Sequence, residues 1–171
     1  GRLGYVIFYN IDYYYLNFYK IFYIWEGGMS FHGALLGILF GILFISIKDK
    51  VNFFKLTDFI VVFIPLGLLL GRVGNFINSE LYGMPTNSNW GVIFTKIDSI
   101  PRHPSMLYES LLEGLILFII LKTIYNKKPM RGKLSALFLI YYAFFRFIVE
   151  FVRVPDIQIG YLYDSWLTMG M

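Results

Sequence analysis

The chain is 171 residues long, 57% hydrophobic and 20% aromatic, with only 15% of its residues charged, against about 25% in an ordinary soluble domain. At a mean hydropathy of +0.62, a soluble domain of this size is excluded, because it could not hide so much apolar surface. The net charge of +4 does not point to nucleic acid, since the basic residues cluster between apolar runs, and with no cysteine the chain has neither a disulfide framework nor a thiolate of its own.

Taken in chain order, Gly1–Tyr9 reads as the tail of a helix. The chain opens on glycine and carries no charged start, apolar middle and small-residue cleavage site in succession. It is therefore expected to be one transmembrane domain over residues 1–171, truncated at both ends. Ile11–Ile24 is tyrosine-rich and is expected to lie along a membrane interface as a helix, its rings at headgroup level. A spanning helix needs about 20 largely apolar residues, and four segments qualify: about Met29–Ile47, Thr57–Ile77, Ser105–Tyr125 and Leu134–Val152. Residues 82–103 contain Pro, Asn, Ser and Gly and read as a small extracytoplasmic head, with "NWGVIF" as a short strand. Gly160–Met171 is expected to lead toward a further helix. The fold class is all-α, a polytopic membrane helix bundle with a small head.

Charge in the loops sets orientation. Lys48, Lys50 and Lys55 separate the first two spans, and Lys122, Lys127, Lys128, Arg131 and Lys133 separate the last two. Lys20, Lys96, Arg102 and Arg153 elsewhere are diluted by Asp12, Glu26, Asp98, Asp156 and Asp164. Short loops rich in Lys and Arg stay in the cytoplasm. The stretches "GGMSFHG", "GRVGNFINSELYG", "RHPSMLYE" and "RFIVEFVR" then all fall at or near the outer face.

Those stretches hold the candidate chemistry. An arginine at such depth costs roughly 2.5–3.5 kcal/mol on insertion scales, so Arg72 and Arg146 require compensation. Arg146, Glu150 and Arg153 are spaced i, i+4, i+7 and share one helix face. An intrahelical Arg–Glu pair is one reading of that spacing; an external anion is the other, because a closed pair needs only one arginine and a guanidinium fork suits phosphate. Arg72 either snorkels to the interface or is held by Asn75, Asn78 and Glu80, which follow within a few residues. Gly71 and Gly74 serve either close helix approach or direct ligand contact. His32, flanked by glycines, is either an interior hydrogen-bonded residue or a base, since imidazole exchanges protons near neutrality. His103, before Pro104, has the weaker case and reads as a helix cap. Two histidines without cysteine do not make a zinc site, and neither HExxH nor G-x-S-x-G occurs. A membrane-borne anion, a phospholipid headgroup, is the natural ligand.

These motifs resemble the prolipoprotein diacylglyceryl transferases of bacteria. The likeness covers nearly all 171 residues, from "GRLGYVIFYN" through "WEGGMSFHGALLG", "GRVGNFINSELYG", "PRHPSMLYE" and "YAFFRFIVEFVRVPD", fading at "TMG". The resemblance implies an inner-membrane enzyme with seven spanning helices, of which about four fall in this chain. It implies transfer of the diacylglyceryl group of phosphatidylglycerol to the lipobox cysteine thiol of a prolipoprotein, with release of glycerol phosphate. Phosphatidylglycerol, the prolipoprotein signal peptide and the bilayer are then the partners, and neither cofactor nor metal is required. Arg72 and Arg146 become the essential arginines around the phosphate, and His32, Asn75, Glu80, Gly83 and Glu150 further functional positions. Asn78 and Arg153 join the expected lipid-binding set. The chain departs from the family in lacking its first helix and half of the next, including a tyrosine of the family site. It also has Met171 where a glutamine is usual, and a compact head. Two rival readings are a lipid transporter with an anion site at the midplane, and a non-catalytic subunit whose Arg–Glu pairs only join helices.

Overall fold

The computed structural model describes residues 1–154, 161–163 and 167–168. These form two compact units, Gly1–Leu56 and Thr57–Met171. The architecture is mostly helical, and two helical stretches, Phe31–Lys48 and the interrupted Phe53–Asn78, are long and apolar enough to cross a membrane.

In the first unit, α1 (Arg2–Tyr9) is followed by α2 (Ile11–Leu16), two 3₁₀ turns (Phe18–Phe22 and Ile24–Glu26) and α3 (Phe31–Lys48). The interfacial helix expected over Ile11–Ile24 is thus one short α-helix continued as 3₁₀ turns. The buried Arg2 holds this segment around α1. Its Nε donates to the Ile21 carbonyl at 3.1 Å and its Nη2 to that of Lys20 at 2.8 Å, and Nη1 reaches the carbonyls of Gly27 and Gly28. α1 and α3 meet at Gly4, where a Cβ would lie only 2.8 Å from Gly33 Cα. Ser30 caps α3, its Oγ accepting from Gly33 N at 3.2 Å. The 18 residues of α3 extend about 27 Å at 1.5 Å each, close to the thickness of a bilayer core.

The second unit begins at Thr57, within α4 (Phe53–Val61), and the expected span Thr57–Ile77 is broken between α4 and α5 (Ile64–Asn78). Pro65 is the cause: it has no N–H to give Val61 and its ring crowds that carbonyl. The segment expected as the third span is a continuous rod of α6 (Ser105–Glu109), a π-helical segment (Ser110–Ile116) and α7 (Leu117–Asn126). The rod lies tight on α5. A Cβ on Gly114 would fall 2.6 Å from Leu69 Cβ, and Ser110 Oγ donates to the Leu69 carbonyl at 3.2 Å. α8 (Lys133–Glu150) follows, and Val61, Val62, Leu117, Leu121, Leu134 and Phe145 form the buried core.

Asp58 of α4 caps α8 from outside the helix. Its carboxylate accepts from Gly132 N at 2.7 Å, Ser135 N at 2.8 Å and Ser135 Oγ at 2.7 Å. These include amides of the first turn that have no partner within the helix, and the negative charge suits the positive end of the helix dipole.

Between α5 and α6, β1 (Val92–Ile93) pairs antiparallel with β2 (Pro101–Arg102), with Val92 opposite Arg102. The strand expected in "NWGVIF" is therefore present, two residues long. At the C-terminal end, β3 (Tyr161–Tyr163) pairs with β4 (Leu167–Thr168); the remainder of Gly160–Met171, like Pro155 as a helix stop, lies outside the described residues.

Candidate functional site

Helix geometry brings the charged residues of the second unit together. Arg72 lies three residues beyond Leu69, the point where α5 and the π segment touch, so its side chain projects beside the same rod. Facing it is Glu109, the last residue of α6, with none of its surface exposed. Arg72 Nε lies 2.6 Å from Glu109 Oε2. Arg146 of α8 reaches the other oxygen, Nη1 to Oε1 at 3.2 Å, while its Nη2 lies 2.7 Å from Glu150 Oε2. Arg153 Nε stands 4.0 Å from Glu109 Oε1. One buried carboxylate thus joins three guanidiniums from α5, α8 and the turn beyond α8. The arginine side chains keep 18%, 15% and 10% of their surface exposed. They are reachable from one side while anchored on the other.

Several expected partners are arranged differently. Glu80 accepts from Asn75 Nδ2 at 2.9 Å, so the carboxylate on Arg72 is Glu109 rather than Glu80. That Asn75–Glu80 link closes the turn after α5, where Ser79 and Leu81 take left-handed φ values of 63° and 56°. Asn78 is exposed on the same turn. Gly71 and Gly74 have open space where a Cβ would stand, and the close approach belongs to Gly114. Gly83 is a backbone crossing point: a Cβ there would fall 2.6 Å from the carbonyls of His103 and Val152. Gly83 N donates to the His103 carbonyl at 2.8 Å and Met84 N to that of Val152 at 2.9 Å, which ties the head to the end of α8. Arg153 lies past the helix, which ends at Glu150, and pairs with Gly83 through a β-bridge. His103 caps nothing with its side chain; its Nδ1 lies 3.2 Å from Tyr108 Oη, which also accepts from Trp90 Nε1 at 3.0 Å. These three rings, with Leu112, Val149 and Val152, line an apolar groove of about 420 Å³ on the helices that carry Glu109 and Arg146. His32 stands exposed in the first unit, at the second residue of α3.

Glu109 was not among the sequence candidates, nor was Glu113, which is fully buried one turn along the π segment with neither oxygen hydrogen-bonded among the described residues. The signal that singled out Arg72, a charge inside an apolar run, applies equally to both glutamates in "SMLYESLLEGLILF".

The family model described as prolipoprotein diacylglyceryl transferase matches residues 1–171. The phosphatidylglycerol–prolipoprotein diacylglyceryl transferase of Methylococcus capsulatus is 50% identical over 170 residues, covering 99% of this chain and 65% of that protein. The proteins of the same name from Pseudomonas aeruginosa and Aeromonas salmonicida are 51% and 49% identical over 99% of this chain and 64% and 62% of their own lengths. The chain spans about 65% of the length of the curated relatives it matches. Matched by the family model from end to end, and half identical to such relatives along almost all its length, the chain belongs to the prolipoprotein diacylglyceryl transferase family.

Proposed function

We propose that the protein transfers the diacylglyceryl group of phosphatidylglycerol to the cysteine thiol of a prolipoprotein lipobox. The observation that carries this reading is the pair of guanidiniums, Arg72 and Arg146, held on one buried carboxylate within a member of this family. The cysteine sulfur attacks the glycerol carbon that bears the phosphate ester oxygen. The new C–S bond is a thioether. The C–O bond breaks, and its electron pair leaves on glycerol phosphate. Charge grows on that phosphate as the bond breaks, so fixed guanidiniums stabilise the transition state more than the ground state. The Nη groups of Arg72 have no partner among the described residues, and they supply the direct phosphate contacts. Arg146, oriented by Glu150 and flanked by Arg153, adds the second charge.

The thiol proton goes to a base, a role assigned to His32 on its chemistry: an exposed imidazole at a helix start. Asn75, Asn78 and Glu80 border the headgroup from the turn after α5, and Gly83 serves by letting the head dock against α8. The apolar groove beside α6 and α8 suits acyl chains. The protein is assigned to the bacterial inner membrane as a multi-pass enzyme with four full spans in this chain, the site and the head over residues 82–103 facing outward.

The test is transfer in phosphatidylglycerol membranes with a lipobox peptide, scored as thioether-linked lipid on the peptide. Arg146→Ala should abolish product in folded protein. His32→Ala should retain lipid and lose turnover. Product surviving both substitutions overturns the assignment and leaves the Arg–Glu pairs a purely structural role.

A further inference from the structure

We propose that Glu109 is the positioning residue of the transfer reaction: it turns Arg72 and Arg146 so that both bear on one phosphate. This rests on the phosphate reading of the arginine cluster. Three observations carry it. The two oxygens of Glu109 are divided between the two arginines, Oε2 to Arg72 at 2.6 Å and Oε1 to Arg146 at 3.2 Å. Arg72 meets the carboxylate through Nε, at the inner end of the guanidinium, and its two Nη groups have no partner among the described residues. A carboxylate that served only to neutralise charge would pair equally well end-on and consume those donors. Glu109 itself has none of its surface exposed, so it acts on the lipid through the arginines and not by touching it. Its placement is rigid, because the rod that carries it is fastened to α5 by Ser110 on the Leu69 carbonyl and by the close contact of Gly114 with Leu69.

The role separates binding from turnover. Removing the carboxylate's charge leaves two cations beside the lipid phosphate, so attraction for the anion does not weaken. Losing the alignment of the guanidiniums removes stabilisation where charge grows; a misplacement of about 1 Å costs about 100-fold in rate. For Glu109→Gln we therefore expect kcat to fall by about 100-fold, with the KM for phosphatidylglycerol unchanged or lowered. Glu109→Asp, which keeps the charge, should recover part of the turnover.

Because Glu109→Gln changes a buried group, Arg72→Lys serves as the second variant. Lysine has no Nε and can meet either Glu109 or the phosphate, so its kcat should fall similarly while thermal unfolding stays near that of the parent. Wild-type kcat in Arg72→Lys, or in folded Glu109→Gln, overturns the positioning role. So does a Glu109→Gln defect that lies wholly in a raised KM. If Arg72→Ala and Arg146→Ala both transfer normally, the phosphate reading falls and the positioning role with it. If those two are inactive while Glu109→Gln turns over normally, only the positioning role falls.

Discussion

Asp98 and Arg102 show the least costly form of charge pairing in this molecule, outside the apolar spans. Arg102 Nη2 donates to Asp98 Oδ2 at 2.6 Å and its Nε lies 3.1 and 3.3 Å from the two oxygens, while Ile100 N donates to Oδ1 at 3.1 Å. The Arg102 hydrogen bond holds the Asp98 carboxyl below the usual carboxylate range, against a smaller upward push from desolvation. A depressed folded pKa contributes stability above the unfolded value, and that contribution is lost as pH falls through the folded one. The β1–β2 pair should therefore loosen as pH drops below about 4. Amide exchange at Val92 and Arg102 measures it, and Asp98→Asn should flatten the acid response. From the sequence both read only as loop charges, because four-residue spacing brings side chains together on a helix and these lie in a loop and a strand. Arg72 and Arg146 were legible, because an isolated cation in apolar text demands an explanation. Glu109 was not, because its partners lie on other helices, 37 residues before and after it in sequence. The nearer carboxylate, Glu80, looked the better partner for Arg72 until the turn at Ser79 and Leu81 directed it to Asn75.

Elements depend on contacts that hydropathy cannot register. The helices around the two most apolar stretches and the strand in "NWGVIF" could be read from apolar length and turn residues. The break at Pro65 and the π segment could not, because windows that average over about 20 residues smooth out one proline and carry no information on hydrogen-bond register. Likewise nothing in the sequence pattern marks Asp58, which caps a helix more than 70 residues away. Its cap is open to test. Asp58→Ala should cost about 0.5–2 kcal/mol, the usual range for a lost helix cap, because the amides of Gly132 and Ser135 are left without their acceptor. Thermal unfolding in detergent followed by circular dichroism should show a lowered midpoint, and exchange should quicken first at the start of α8. An unchanged midpoint would mean that water or another group takes over the cap.

For the whole molecule, the argument turns on which side of the membrane each loop occupies. The rod from Ser105 to Asn126 runs between the head and the loop before α8. If it crosses the bilayer once, those two segments lie on opposite sides. The loop side carries Lys122, Lys127, Lys128, Arg131 and Lys133, whereas in the head Lys96 and Arg102 stand with Asp98. Positive residues near span ends are retained in the cytoplasm, and acidic ones count for little. On that rule the loop is expected to be cytoplasmic and the arginine cluster, at the head end of the rod, to face outward, the side that the proposed reaction requires. The absence of cysteine from the chain makes this directly measurable. Asn89→Cys in the head and Asn126→Cys at the end of α7 replace exposed residues without altering charge. In intact cells with the outer barrier opened, an impermeant maleimide should label Asn89→Cys at once and Asn126→Cys only after the inner membrane is permeabilised. The reverse pattern would place the cluster in the cytoplasm, away from exported substrate, and would remove the topological support for the proposed reaction. Neutralising Lys127, Lys128, Arg131 and Lys133 together should blur the labelling difference if that charge sets the direction of insertion.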